Sequence, residues 1–247
     1  MNSQSHDSAG IRAQSPLGRN ATDLWEAAYL RFETPAQEIQ KFAGRLRMLG
    51  ASKWRSDSQV VELFCGRGSG LHALQQLGFT NLTGVDISPR LVAKYQGPAN
   101  CIVADCRLLP FGDKSKDVLI VQGGLHHLPN LPDDLAATFL EMHRVLRPTG
   151  LVLFIEPWLT PFLRLVHTVS TNSVARRVSS KLDALATMIE SEKRTYDQWL
   201  TQPGVIQRLA RQYFSPVHES VSWGKWRFLS SPRASIRSPA SCATGSS

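Results

Sequence analysis

Short, unbroken apolar runs alternate with segments of helical periodicity through the middle of the chain. Val60-Val61-Glu62-Leu63-Phe64 is the first run, and Asn81 to Val85, ending at Asp86, is the second. Cys101 to Asp105, Asp117 to Gln122 and Leu151 to Glu156 follow. Runs this short, apolar and mostly β-branched predict strands buried on both faces of a parallel sheet. Between them the apolar residues fall at helical spacing, as in Leu71, Leu74 and Leu77. The alternation predicts a doubly wound α/β fold with a mostly parallel sheet.

The flanks extend this plan. Leu24, Trp25, Ala28 and Phe32 form one face of a leading helix with Thr22-Asp23 as its cap. Pro35 opens a second helix with Ile39, Phe42, Leu46 and Leu49 in register, so leading helices fill 22–57. Residues 158–214 carry Trp158, Phe162, Leu163, Val166, His167, Tyr196 and Trp199 on largely helical segments inserted before the end of the sheet. Residues 216–229, centred on Trp223-Gly224-Lys225-Trp226, read as an antiparallel hairpin that brings the sheet to about seven strands. Residues 1–20 and 230–247 are polar and aperiodic, and are expected to be disordered tails around one domain over 21–229.

Chemistry concentrates where the first strand meets Cys65-Gly66-Arg67-Gly68-Ser69-Gly70. Glycines there permit a sharp turn and let a ligand lie on bare backbone, facing the free N–H groups of the next helix. Twenty residues past Gly66, Asp86 ends the second strand, where a carboxylate accepts hydrogen bonds from ribose hydroxyls. Ligands of such sheets bind beyond the carboxyl ends of the strands. The glycine turn, Asp86, Asp105 and the Gln122–His127 loop therefore converge on one edge.

These residues resemble the class I S-adenosylmethionine-dependent methyltransferases, most closely the type 11, ubiquinone-biosynthesis-like branch, over Val60 to Pro157 and more weakly to Leu229. The resemblance implies a Rossmann-like fold and S-adenosyl-L-methionine as cofactor. It implies that Glu62 reaches the methionine amino end, that Gly66 and Gly68 pass under the methionine and ribose, and that Asp86 holds the ribose hydroxyls. It places Asp105 at the adenine amino group with Cys106 beside it, and adds Ile87 and Gln122 to the contact set. Arg144 to Gly150 is similar to the family's turn before the fifth strand. Residues 158–214 correspond to a substrate lid, and Tyr29 and Phe32 to leading-helix residues that either shut the pocket or belong to the core. Phe64 departs from the pattern, which has glycine there. A nicotinamide enzyme is disfavoured: its fingerprint requires glycine at 71, where Leu71 stands, and only one mononucleotide-binding half is visible.

Charge changes the picture little. The formal +8 is uneven: residues 158–247 hold twelve basic and five acidic residues, whereas 59–157 hold eight and nine. A basic C-terminal third leaves open a protein or RNA methyltransferase, or a peripheral contact with an anionic membrane. A non-catalytic cofactor-binding assembly partner is the remaining alternative. The adenine and cytosine amino-methylating signature is absent after the fourth strand, so nucleic acid is a poor substrate candidate. Cysteines 65, 101, 106 and 242 show no metal-ligand spacing, and no metal is expected. The longest apolar stretch, 151–169, is broken by Glu156, Pro157, Pro161 and Arg164, so a cytoplasmic enzyme is expected.

Methyl transfer from a sulfonium is an in-line displacement in which alignment alone supplies roughly 7–11 kcal/mol. The acceptor expected is a small or lipid-like molecule methylated on O, N or C. His126, His127 and Glu156 are the candidate catalytic residues, as proton acceptor or substrate anchor. For each histidine the alternative is packing or lining.

Overall fold

The computed structural model describes residues 19–235. Seven strands form one sheet: β1 (Val60–Leu63), β2 (Leu82–Asp86), β3 (Asn100–Val103), β4 (Lys116–Gln122), β5 (Leu146–Pro157), β6 (Phe214–Ser222) and β7 (Lys225–Pro232). Their order is β3-β2-β1-β4-β5-β7-β6. The first five are mutually parallel and β7 runs antiparallel to both neighbours. The order reverses between β1 and β4, so their carboxyl ends open the crevice in which α/β sheets take their ligands.

Most strands occupy the predicted runs, and the differences have local causes. β3 is the edge strand and is half exposed, Val103 included, instead of being buried on both faces. Asp105 lies two residues beyond it. The expected turn at Arg144 to Gly150 is instead the end of α5 (Asp133–Val145) and an irregular start of β5. The β4–β5 register slips between Lys116 and Val118, where Asp117 accepts from the Gln59 N–H (2.7 Å) and pairs with Arg147 (2.5 Å). The hairpin is longer at both ends than 216–229, because β7 follows β5 as far as the Val152–Ser230 pairing. Ser230 to Pro232 are therefore strand, not tail.

Helices cover both faces. The α1 helix (Arg19–Phe32) starts three residues ahead of the Thr22-Asp23 cap, so Arg19 and Asn20 are helical. The rest of the two expected tails, 1–18 and 236–247, lies outside the described residues. Thr34 caps α2 (Pro35–Met48) through a reciprocal bond pair with Gln37. The glycine turn feeds α3 (Ser69–Gln76), and Ser88 caps the short α4 (Pro89–Val92). The insertion is helical throughout: α6 (Pro161–Thr171), α7 (Ser173–Val178), α8 (Ser180–Ser191), α9 (Lys193–Thr201) and α10 (Pro203–Tyr213).

Two apolar cores lie on opposite sides of the sheet. One joins α2 and α3 to β1, β4 and β5 through Phe42, Leu46, Leu71, Leu74 and Ile120. The other is aromatic: Phe139 stacks on Phe154, which stacks on Phe228, while Trp226 lies 5.0 Å from Trp158. Trp199 of α9 joins it and donates from Nε1 to the Pro157 carbonyl (2.8 Å), which fixes the insertion to the end of β5. A third small cluster packs Ala28, with Trp25, Tyr29 and Phe32 of α1, on Ala184 and Met188 of α8.

Candidate active site

The carboxyl ends of β1, β4 and β5 build the site. Glu62 is 2 % exposed, and its side chain lies against Gly70, where any Cβ would collide with the carboxylate. Burial, reinforced by the charge of Glu38, pushes its pKa up to about 8. Oε2 of Glu62 and both polar side-chain atoms of Gln122 are buried without hydrogen-bond partners. Leaving such atoms unpaired costs about 1–3 kcal/mol each, so they form a polar receptor for a ligand's donors and acceptors.

Asp86 organises the turn. Its Oδ2 accepts from the Gly66 N–H (2.8 Å) and its Oδ1 from the Ser88 N–H (2.8 Å). Gly66 has φ of +53°, and the space where its Cβ would stand is open. Gly68 is also left-handed (+83°), but there the ring of Tyr95 fills the space over its backbone. An aromatic neighbour accounts for that glycine without a ligand. Ile87 follows Asp86 with its side chain exposed. Phe64 adopts φ of +56°, a region costly for a residue with a Cβ, and its ring lies on Gly124 at the end of β4.

Asp105 and Cys106 are engaged by partners that the sequence did not indicate. Both oxygens of Asp105 accept from Arg107, whose guanidinium also reaches Asp134 at the start of α5 (2.6 Å). The Arg107 hydrogen bonds hold the Asp105 carboxyl below its ordinary pKa. The Cys106 sulfur faces Thr138 of α5 (3.5 Å), and burial raises its thiol to about 12. A thiol so placed belongs to the core.

The loop after β4 is held from behind. Glu156 is 0 % exposed; Oε1 accepts from the Gly124 and Leu125 N–H groups (2.8 and 2.9 Å), and Oε2 meets His126 Nδ1 (2.8 Å). Both oxygens are engaged by the chain and the side chain is fully buried, so these contacts hold the loop in place, where the sequence had suggested a base or anchor facing the pocket. Burial alone would lower the pKa of His126, but the hydrogen bonds to Glu156 and Glu192 outweigh it and hold the ring at about 9. His127 is the more exposed of the pair, and burial lowers its pKa. Glu192, between α8 and α9, stands 3.7 Å from His126 Nε2 and 3.6 Å from His127 Nδ1.

The leading helices roof the turn. The Tyr29 hydroxyl donates to Glu38, which also accepts from Arg67 of the glycine turn (3.1 Å). Arg67 lies over the Tyr29 ring, Trp25 stacks on Tyr29, and the Trp25 ring meets His127 edge-on at 6.4 Å. Tyr29 therefore serves both readings: it packs on α8 and covers the site. Sequence reasoning missed Glu38, Arg67, Arg107 and Glu192. Glu38 and Glu192 bore a signal only as carboxylates on otherwise apolar helix faces.

Residues 61–154 match the family described as methyltransferase domain. The chain is 31 % identical over 105 residues to a ubiquinone/menaquinone biosynthesis C-methyltransferase, UbiE, of Dinoroseobacter shibae, covering 40 % of each chain. It is 32 % identical over 120 residues to demethylmenaquinone methyltransferase of Staphylococcus aureus, covering 45 % of this chain and 48 % of that one. The chain thus spans about half or less of the length of these curated relatives. Among solved structures, protein PH0226 of Pyrococcus horikoshii superposes with a TM-score of 0.63 at 20 % identity, over 85 % of this chain and 98 % of that one. The N-methyltransferase NodS of Bradyrhizobium japonicum, in complex with S-adenosyl-L-homocysteine, gives 0.54 at 12 % identity over 85 % and 98 %. These structures share the Rossmann-like fold of the methyltransferase domain. Among the described residues no helix is long and apolar enough to cross a membrane.

Proposed function

We propose that the chain is an S-adenosyl-L-methionine-dependent methyltransferase acting on a small, lipid-like organic acceptor. The observation that carries this reading is the set of buried, unpaired atoms of Glu62 and Gln122 at the reversal of strand order. A methionine ammonium and carboxylate would satisfy both side chains, and burying a positive charge beside Glu62 would favour its ionised form. Open Gly66 and the second lone pairs of Asp86 suit a ribose, with exposed Ile87 flanking the adenine. Asp105 retains its place at the adenine end, shared with Arg107, and Gly68 contributes backbone only. When bound, the cofactor supplies an activated methyl group.

The protein's own contribution is alignment and dryness. Glu156 fixes the Gly124–His126 backbone, so His127 meets the acceptor at a set place with His126 behind it. Trp25 and Tyr29 exclude water from above. Phe64 narrows the pocket where glycine would leave space. The acceptor class draws on the lid exterior: Phe162, Leu165, Val169, Val174, Val178 and Trp223 are all exposed there, with Arg164, Arg177 and Lys181 among them. An apolar surface with interleaved cations suits an acceptor delivered from a lipid surface. The names of the quinone-methylating relatives agree with that chemistry.

Calorimetric titration tests the cofactor, and labelled-methyl transfer to a demethylated prenyl quinol tests the acceptor. Saturable binding of S-adenosylmethionine without binding of NADH is expected, followed by label in the organic phase. NADH binding in its place would overturn the cofactor reading. Label found only in polypeptide or RNA would overturn the acceptor.

A further inference from the structure

His126, His127 and Glu192 bring one ligand atom each to within 4.8 Å of one another, in a place where two of the three residues are buried. We propose that they form a binding site for a divalent transition ion, with zinc the best fit. The Glu192 Oε2 distances of 3.7 Å to His126 Nε2 and 3.6 Å to His127 Nδ1 are close to the edge of a tetrahedron whose centre lies about 2.1 Å from each corner. Two imidazole nitrogens and one carboxylate oxygen are the donor set of open zinc sites, which keep a position for an exogenous ligand.

A further feature sets this cluster apart from a chance gathering. Glu156 meets His126 at Nδ1, the nitrogen not used for the ion, and also accepts from the Gly124 and Leu125 N–H groups. A carboxylate on the far nitrogen of a ligating histidine fixes the ring's tautomer and strengthens it as a donor. Two buried carboxylates, Glu156 and Glu192, stand beside the two imidazoles, an environment that attracts a dication. The ligands come from two parts of the fold: the loop after β4 supplies both histidines and the α8–α9 junction supplies Glu192. A bound ion would clamp the lid to the sheet edge and present its open position to an oxygen of the acceptor, an enol, phenol or quinol.

The site is read without turnover, so it stands or falls separately from the methyl-transfer proposal. Chelator-stripped full-length protein is titrated with zinc alone by calorimetry, and with cobalt(II) followed by its visible absorption. One saturable equivalent is expected, with a cobalt spectrum of low-coordinate type. Glu192→Gln and His127→Ala are each expected to weaken zinc by more than about tenfold, and Glu156→Gln by about 10–100-fold. Circular dichroism without metal verifies that the variants fold. If a variant fails to fold, the wild-type stoichiometry and cobalt spectrum decide. Failure of the wild type to saturate with zinc, or unchanged affinity in folded Glu192→Gln and His127→Ala, would overturn the proposal. Either result would leave His126 as a charged ring between two carboxylates.

Discussion

Glu62 carries the most informative single titration. Its folded pKa of about 8 exceeds its ordinary 4.5, so the folded chain holds this proton more tightly than the unfolded one. Stability contributed by the neutral acid is complete below about 4.5 and is lost as pH rises towards 8. Glu62→Gln is therefore expected to flatten the decline of ligand-free thermal stability between pH 5 and 8, a window of about three units set by that shift. The same variant is expected to bind S-adenosylmethionine at least about tenfold more weakly, because an amide cannot balance the ligand's charge. Phe64 offers a backbone test. Glycine normally ranks below alanine in stability, but at φ of +56° the order should reverse. Phe64→Gly should melt above Phe64→Ala by an amount equivalent to about 1 kcal/mol. Equal melting would place the strain elsewhere.

Among the elements, strands β1, β2 and β4 were legible because buried parallel strands advertise themselves as apolar runs. The start of β5 was not. Arg147-Pro148-Thr149-Gly150 has turn composition, and only the pairing of Asp117 with Arg147 and the Gln59 backbone draws it into the ladder. Edge exposure of β3 is equally unreadable, since strand order is a tertiary fact. Within the site, spacing revealed Asp86 and the glycine turn. The duties of Glu156 and Asp105 depend on partners 30 and two residues away, which fixed the loop and the Arg107 pair respectively. Trp199 shows how the insertion is joined to the core. Trp199→Phe removes the donor to the buried Pro157 carbonyl and is expected to cost about 2 kcal/mol in urea unfolding, with the m-value unchanged. A loss confined to the m-value would mean that the indole bond does not secure the insertion.

For the whole molecule, positive charge and apolar exposure fall in the same part of the chain. The segment that matches the methyltransferase family model is nearly neutral, whereas the C-terminal third holds the positive excess and an exposed apolar surface. Phe162 and Trp223 meet edge-on at 5.3 Å on that surface, bridging α6 and the β6–β7 turn. Replacing both with serine should leave folding intact, since both are exposed. It should reduce turnover on a long-chain acceptor presented in anionic vesicles about tenfold, consistent with loss of two inserted aromatic groups. Turnover on a short-chain soluble analogue should be unchanged. Equal effects on both substrates would remove the lipid surface from the functional reading.

The indole bond of Trp199 also bears on which side of the site is held more loosely. Helix α9 is tied to the last residue of β5 and buried at that corner, whereas α1 is retained by side-chain packing on α8 and by the Tyr29–Glu38–Arg67 cluster. A ligand seated at the glycine turn is therefore expected to enter and leave past the amino-terminal helix. In hydrogen–deuterium exchange its amides should be the first in the roof to exchange, and the first to slow when nucleoside is added.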